Sequence, residues 1–62
     1  MSLTIGERKI LNRPTFLHEG IIVMKGISVK IVALEGDNVI VEFIDREGYP
    51  HKILDIKREE LS

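Results

Sequence analysis

The 62-residue chain contains no cysteine, no tryptophan and only three aromatic residues. Without cysteine it cannot form a disulfide framework, a thiol nucleophile, an iron–sulfur cluster or a cysteine-based zinc site. The lack of cysteine also fits a reducing compartment. No apolar run approaches the roughly 18 residues of a membrane-spanning helix, and no signal peptide is evident. We therefore expect a cytoplasmic protein with no membrane partner.

Length and composition point to one small folded domain. Sixty-two residues leave no room for a second domain. Hydrophobic residues make up 44% of the chain and charged residues 31%, which separates it from disordered sequences. The net charge of -1 provides no overall positive field that would attract nucleic acid.

The second two thirds of the chain has the pattern of β-strands. Residues with branched β-carbons dominate several segments, and clusters of turn-forming residues separate them. The strand-like segments span residues 20–24, 27–34, 39–44 and 49–56. Pro50 near the start of the last segment indicates an edge strand, and residues 57–61 are typical of one terminal helical turn. The sequence predicts an all-β fold, either a small barrel or a strongly twisted antiparallel meander.

The first 17 residues fit neither helical nor strand spacing. Gly6 and Pro14 interrupt their apolar pattern. We expect short extended pieces near residues 3–5 and 9–11, followed by a loop. The prediction is thus a single domain over residues 1–62, with an irregular N-terminal segment at 1–17 and a strand meander at 20–61.

Strict alternation along these strands places apolar residues on both faces of the sheet. One face supplies the predicted core, which consists of Val29, Ile31, Val39, Val41, Phe43, Leu54 and Ile56. The other face carries Val32, Leu34, Ile40, Ile44, Tyr49 and Ile53. Six apolar residues together on a surface are unusual for a monomer. Either residues 1–17 cover that face or the protein is a homo-oligomer, whose predicted interface includes Val32, Leu34, Ile40, Ile44 and Ile53.

The sequence offers little support for catalysis or metal binding. His18 lies next to Glu19, and His51 lies near Asp55, but the spacing is generic and no HxH or HExxH unit occurs. The single glycines form no phosphate-binding loop. We predict no catalytic, metal or cofactor-binding residues and therefore a protein that is not an enzyme. A small enzyme with an active site between subunits is the least favoured alternative.

Charge is divided unevenly along the chain. Residues 1–30 carry five basic and two acidic residues, whereas residues 31–62 carry four basic and eight acidic ones. This division fits either a basic stripe for nucleic acid or attraction between the two halves. If RNA is the partner, we expect phosphate contacts from Arg8, Lys9, Arg13, Lys30 and Arg58. The stacked aromatic platform of single-strand RNA readers is missing.

Several features of residues 24–61 occur together in one family of domains. They are Lys25-Gly26 before a strand, the turn Gly36-Asp37-Asn38, the run Val41-Glu42-Phe43 followed by Asp45 and Gly48, and the closing Leu61. In these features the segment resembles SH3-like small barrels of the KOW and Tudor type, among them uncharacterised bacterial domains. The resemblance implies a non-enzymatic binding module whose partner is not specified by the fold. This is the leading prediction.

A second resemblance involves the two ends of the chain and the stretch between residues 19 and 39. Leu3-Thr4, the uninterrupted stretch 19–39 and the close Arg58-Glu59-Glu60-Leu61 resemble the carbon-storage-regulator family of small RNA-binding dimers. The chain differs in having Ile5-Gly6 where that family has basic residues. The resemblance implies an RNA-binding post-transcriptional regulator, with Arg58 and, more weakly, Thr4 in contact with RNA. This is the alternative prediction.

Overall fold

The computed structural model describes residues 3–62. Its strands are β1 (Arg8–Ile10), β2 (Phe16–His18), β3 (Ile21–Val23), β4 (Ser28–Glu35), β5 (Asn38–Ile44) and β6 (Pro50–Lys57). A four-stranded antiparallel sheet has the order β1-β4-β5-β6, and β2 and β3 form a separate antiparallel hairpin. A single 3-10 turn, Arg58–Glu60, follows β6. The predicted all-β domain with a terminal helical turn is confirmed.

The predicted strand boundaries agree best with the structure where the strands are long. The three long predicted segments correspond to β4, β5 and β6, and Pro50 opens β6 at the sheet edge. At the N-terminal end, the extended piece at 9–11 overlaps β1. The other piece, at 3–5, forms no strand, and β2 begins inside the segment 1–17 that was predicted to be irregular. β1 and β2 have only three residues each, which is too short for a period of two to be recognised.

The core lies between the inner face of the four-stranded sheet and the N-terminal part of the chain. Its buried residues are Leu11, Val23, Val29, Ile31, Val39, Val41, Phe43, Ile53 and Ile56. Val41 and Phe43 are inside as predicted, on alternate residues of β5. Leu11 comes from the N-terminal segment and Val23 from the hairpin, so these parts cover the inner face of the sheet. On the outer face Lys30 and Lys52 are exposed, and Val32 and Ile40 are partly exposed.

A β-bulge in β6 changes which of its side chains face the core, relative to the prediction. The pairs Val39–Ile56 and Val41–Ile53 enclose one residue on β5 but two on β6. A bulge of this kind shifts the alternation by one residue. Ile53 is therefore 0% exposed and Leu54 is 61% exposed. The prediction had these two residues the wrong way round, and Ile53 belongs to the core rather than to the predicted outer face.

A second bulge lies in β4. Between Ile31 and Ala33, β4 has one extra residue relative to β5. Beyond this bulge Leu34 pairs with the buried Val39 and packs against the core. The prediction of Leu34 on the outer face is therefore also wrong, whereas Val32 remains partly exposed.

The C-terminus joins the two edges of the four-stranded sheet. After the 3-10 turn, Ser62 and Ile10 exchange both backbone hydrogen bonds, at 2.8 and 2.9 Å. The amide of Asn12 donates to the carbonyl of Glu60 at 2.7 Å. These bonds connect the end of β6 to the free side of β1, so the sheet closes into a small barrel. Leu61 packs against the core at this closure, as the sequence predicts.

Within residues 3–62, no helix is long and apolar enough to cross a membrane.

Candidate binding surfaces

The β2–β3 hairpin turns through two residues, Glu19 and Gly20, whose φ angles are 51° and 81°. Positive φ at both positions defines a type I′ turn, the connection whose twist matches a two-residue hairpin. His18 and Ile21 form the pair that closes the turn. In such a hairpin the closing pair is hydrogen-bonded and the next pair is not. The N–H and C=O groups of Ile22 therefore point away from β2.

The edge of β3 on which these groups lie is free. In the described part of the chain, β3 pairs only with β2, and Ile22 takes part in no further backbone hydrogen bond. An unpaired strand edge carries donors and acceptors that another extended chain can use. This edge is the first feature of a binding surface.

An open groove of about 540 Å³ runs beside the free edge. Residues 20–24, which include the whole of β3, line one wall, and residues 43–47 line the other wall. The groove is mainly apolar, because Ile22, Met24 and Ile44 are 68%, 61% and 55% exposed there. Its volume falls within the range of about 300–1,000 Å³ that is usual for ligand sites.

The far wall of the groove is held by Asp45. One carboxylate oxygen, Oδ1, accepts the amides of Glu47 and Tyr49 at 2.8 and 2.9 Å. The other, Oδ2, lies 2.7 Å from Nε2 of His51, whose ring stacks on Phe43 at 5.3 Å. The hydrogen bond with His51, followed by the Tyr49 amide, lowers the pKa of Asp45. The pair shapes the turn between β5 and β6, and this structural role engages both carboxylate oxygens of Asp45.

The two histidines lie in separate contacts. The sequence places His51 near Asp55, but the structure pairs it with Asp45 instead. His18 Nε2 lies 2.9 Å from the carbonyl oxygen of Lys52 and 3.9 Å from Glu19. No group of three potential metal ligands occurs among residues 3–62.

A charged row crosses the outer face of the four-stranded sheet. Arg8, Lys30, Glu42 and Lys52 lie opposite one another on β1, β4, β5 and β6. The three cations are exposed. Glu42 has no ion pair within 4.0 Å among residues 3–62. This row brings together two of the predicted nucleic-acid contacts, Arg8 and Lys30, and adds Lys52.

The other predicted nucleic-acid contacts lie elsewhere. Lys9 follows Arg8 in β1, and successive strand residues point to opposite faces. It shares a second shallow depression with Arg58 and lies 3.5 Å from Glu7. The backbone amide of Thr4 also bonds to Glu7, at 3.1 Å. Lys9 and Arg58 therefore lie on a different surface from Arg8 and Lys30.

Arg13 is engaged within the protein. Its guanidinium donates two hydrogen bonds to Glu60, at 2.8 and 2.9 Å, and one to the backbone carbonyl of Asp55 at 2.9 Å. It also lies 4.9 Å from the centre of the Phe16 ring. Hydrogen bonding between Arg13 and Glu60 raises the pKa of Arg13 and lowers that of Glu60. These contacts give Arg13 a structural role, and its contact with nucleic acid stays a prediction.

The residues of the predicted oligomer interface have separate locations. Val32 and Ile40 are partly exposed on neighbouring strands, and Ile44 is exposed at the groove. Ile53 is buried in the core, and Leu34 is partly buried against it. The groove and the free edge of β3 were missed, although Glu19-Gly20 between apolar residues is a sequence signal for a two-residue hairpin.

No family model, curated protein or solved structure matches the chain.

Proposed function

We propose that the protein is a non-enzymatic interaction module that binds an extended polypeptide segment along the free edge of β3. The observation that supports this most strongly is the unpaired backbone of Ile22 beside an apolar groove. When a strand is added to a sheet edge, backbone hydrogen bonds supply affinity, and pockets for alternate side chains supply specificity. The groove and the edge together offer both.

The surroundings of the groove favour a chain with alternating apolar residues. Met24 and Ile22 are exposed on one wall and Ile44 on the other. Arg46 and Glu47 stand at the end of the far wall and are exposed. Apolar side chains of a bound strand would pack between the walls, while these charges would orient it. Association of the protein with itself is one form of this binding.

A phage-displayed library of linear peptides tests the proposal. We expect selection of peptides with alternating apolar residues. The variant Ile22→Pro lacks the free N–H, and proline is tolerated at a strand edge, so it should keep its melting temperature within a few degrees and lose the selected peptides. The control Leu54→Asp changes an exposed residue away from the groove and should keep them. A library that yields no binders, or binders indifferent to Ile22→Pro, would contradict the proposal.

RNA binding is the second candidate function, and the charged row favours it. Arg8 and Lys30 lie side by side on β1 and β4, with Lys52 further along the same row. Loss of each phosphate contact with a single strand should lower the salt slope of log affinity by about 0.7. Titration of labelled RNA pools at low salt should then show saturable binding that weakens in Lys30→Ala. Arg58→Ala tests the resemblance to the carbon-storage-regulator family in the same assay. Absence of saturable binding would remove this candidate.

A further inference from the structure

We infer that the extended segment bound at this edge is β3 of a second copy of the chain. The resulting two-fold dimer contains a continuous sheet in which the two hairpins meet edge to edge. This inference rests on the proposed function, because it names the partner of the same edge. A two-fold interface requires a surface that is complementary to itself, and the sequence of residues 19–25 has this property.

The two-fold axis passes beside Ile22. Because the peptide groups of Ile22 point outward, Ile22 and the partner's Ile22 form a hydrogen-bonded pair in which each N–H donates to the other C=O. Both groups are free of other backbone partners in residues 3–62. The pairing therefore requires no bond of the monomer to be broken.

The same register matches large and small residues. Just beyond each end of the paired strands, the turn residue Gly20 lies next to the partner's Met24. Met24 is 61% exposed, and a Cβ built on Gly20 would meet no atom within 4 Å. The long side chain of the partner's Met24 thus has open space above a residue that has no side chain of its own. The fit occurs twice because of the symmetry.

Charge complementarity supports the register. Glu19 lies in the hairpin turn just before β3, so it stands at the same end of the interface as the partner's Lys25, and the reciprocal arrangement occurs at the other end. The side chain of Glu19 is 78% exposed, and Lys25 is exposed as well. Opposite charges across an interface fix register and orientation more than they add affinity. A register shifted by two residues loses both contacts.

The outer face of the hairpin gains an apolar surface that continues across the axis. Leu17 and Ile22 face each other across the hairpin and are 69% and 68% exposed. Dimerisation places both pairs next to each other in one sheet. The paired strands are only three residues long, which is short for a standard interface of about 800 Å² per partner. We therefore expect dissociation in the micromolar range.

Charge reversal with sedimentation equilibrium of the full chain tests the inference. Wild type should dimerise, and Glu19→Lys or Lys25→Glu should each weaken dimerisation about tenfold or more, because each creates two like-charge contacts. The double variant should recover affinity to within about threefold of wild type, since it restores opposite charges. Asp37→Lys, the same charge change in the β4–β5 turn, is the matched control and should dimerise like wild type. Thermal melts confirm that each variant is folded.

Two results would overturn the inference. One is a wild-type protein that stays monomeric at several hundred micromolar, a concentration well above the expected dissociation constant. The other is a dimer that tolerates both single charge reversals, because it must use another surface. If the chain is monomeric but still selects peptides that depend on Ile22, the binding module stands and only the self-association fails. If the chain is monomeric and also selects no peptides, the proposed function is wrong as well as the self-association.

Discussion

Strands β1 and β3 are both three residues long, but they differ in how many of their edges are hydrogen-bonded within the protein. β1 is hydrogen-bonded to β4 on one side and to the C-terminal residues on the other. β3 is bonded to β2 alone among the described residues. Closure of the first edge depends on Ser62, more than fifty residues away in sequence. The edge of a short strand is thus closed by residues that are distant in sequence. The edge of β3 has no such residues bonded to it among residues 3–62 and is therefore available for a partner.

The largest expected difference in stability between the two edge regions comes from substituting one leucine in each. Leu11, beside the closed edge, is fully buried, and Leu17, on the hairpin, is 69% exposed. Leu11→Ala should lower the free energy of unfolding by about 2–5 kcal/mol because it leaves a cavity. Leu17→Ala should change it by less than about 0.5 kcal/mol. Urea denaturation measures the free energy of unfolding of both variants. Equal losses of stability would contradict the difference between the two edge regions.

A second pair tests the bulge that sets the face of β6. Ile53→Ala should cost about 2–5 kcal/mol, whereas Leu54→Ala should cost well under half as much because that side chain is 61% exposed. Chemical denaturation of the two variants side by side gives the answer. A larger loss for Leu54→Ala would restore strict alternation in β6 and contradict the bulge.

A smaller effect is expected at the contact that fastens the closed edge. Arg13→Ala removes charge-assisted hydrogen bonds to a half-buried carboxylate and should cost about 1–3 kcal/mol. Arg8→Ala, on the exposed charged row, should stay within about 0.5 kcal/mol of wild type. If the two arginine variants unfold at the same urea concentration, the contact contributes nothing to closure.

The pH dependence of stability gives the smallest effect. Hydrogen bonding to Arg13 lowers the pKa of Glu60 in the folded protein. Its contribution is therefore complete above the carboxyl pKa of the unfolded chain and is lost as pH falls through the lower, folded pKa. Glu60→Gln should reduce stability at neutral pH and flatten its decline in acid, while Glu35→Gln, at an exposed position, should keep the wild-type slope. Denaturation midpoints across the acid range measure this, and a Glu60→Gln slope as steep as wild type would argue against it.

The sequence predicted the long strands because their signals extend over the whole element. In β4, β5 and β6 alternation and branched side chains agree, and turn residues mark the boundaries. β2 has only three residues, so its alternation could not be recognised. The bulges could not be predicted either, because a bulge is a property of the pairing between strands and not of one strand. Leu34, Ile53 and Leu54 were misplaced for this one reason.

The candidate site was harder to predict than the fold. The turn Glu19-Gly20 is visible as a local signal, but the free edge beside it depends on which strands pair, and that pairing is non-local. Arg13 illustrates the same difficulty with charges. Its acceptor Glu60 lies 47 residues away, so the charge division suggested attraction between the halves without naming the pair.

Amide hydrogen exchange, followed residue by residue at low and high protein concentration, tests the difference between the two edges most directly. In dilute solution the amides of Ile10 and Asn12 should be protected by their bonds to the C-terminal residues, and the amide of Ile22 should exchange rapidly. At high concentration the Ile22 amide should gain protection, whereas that of Ile10 and Asn12 should stay the same. Protection of Ile22 in dilute solution equal to that of Ile10 would show that the edge of β3 is already closed, and would contradict the account.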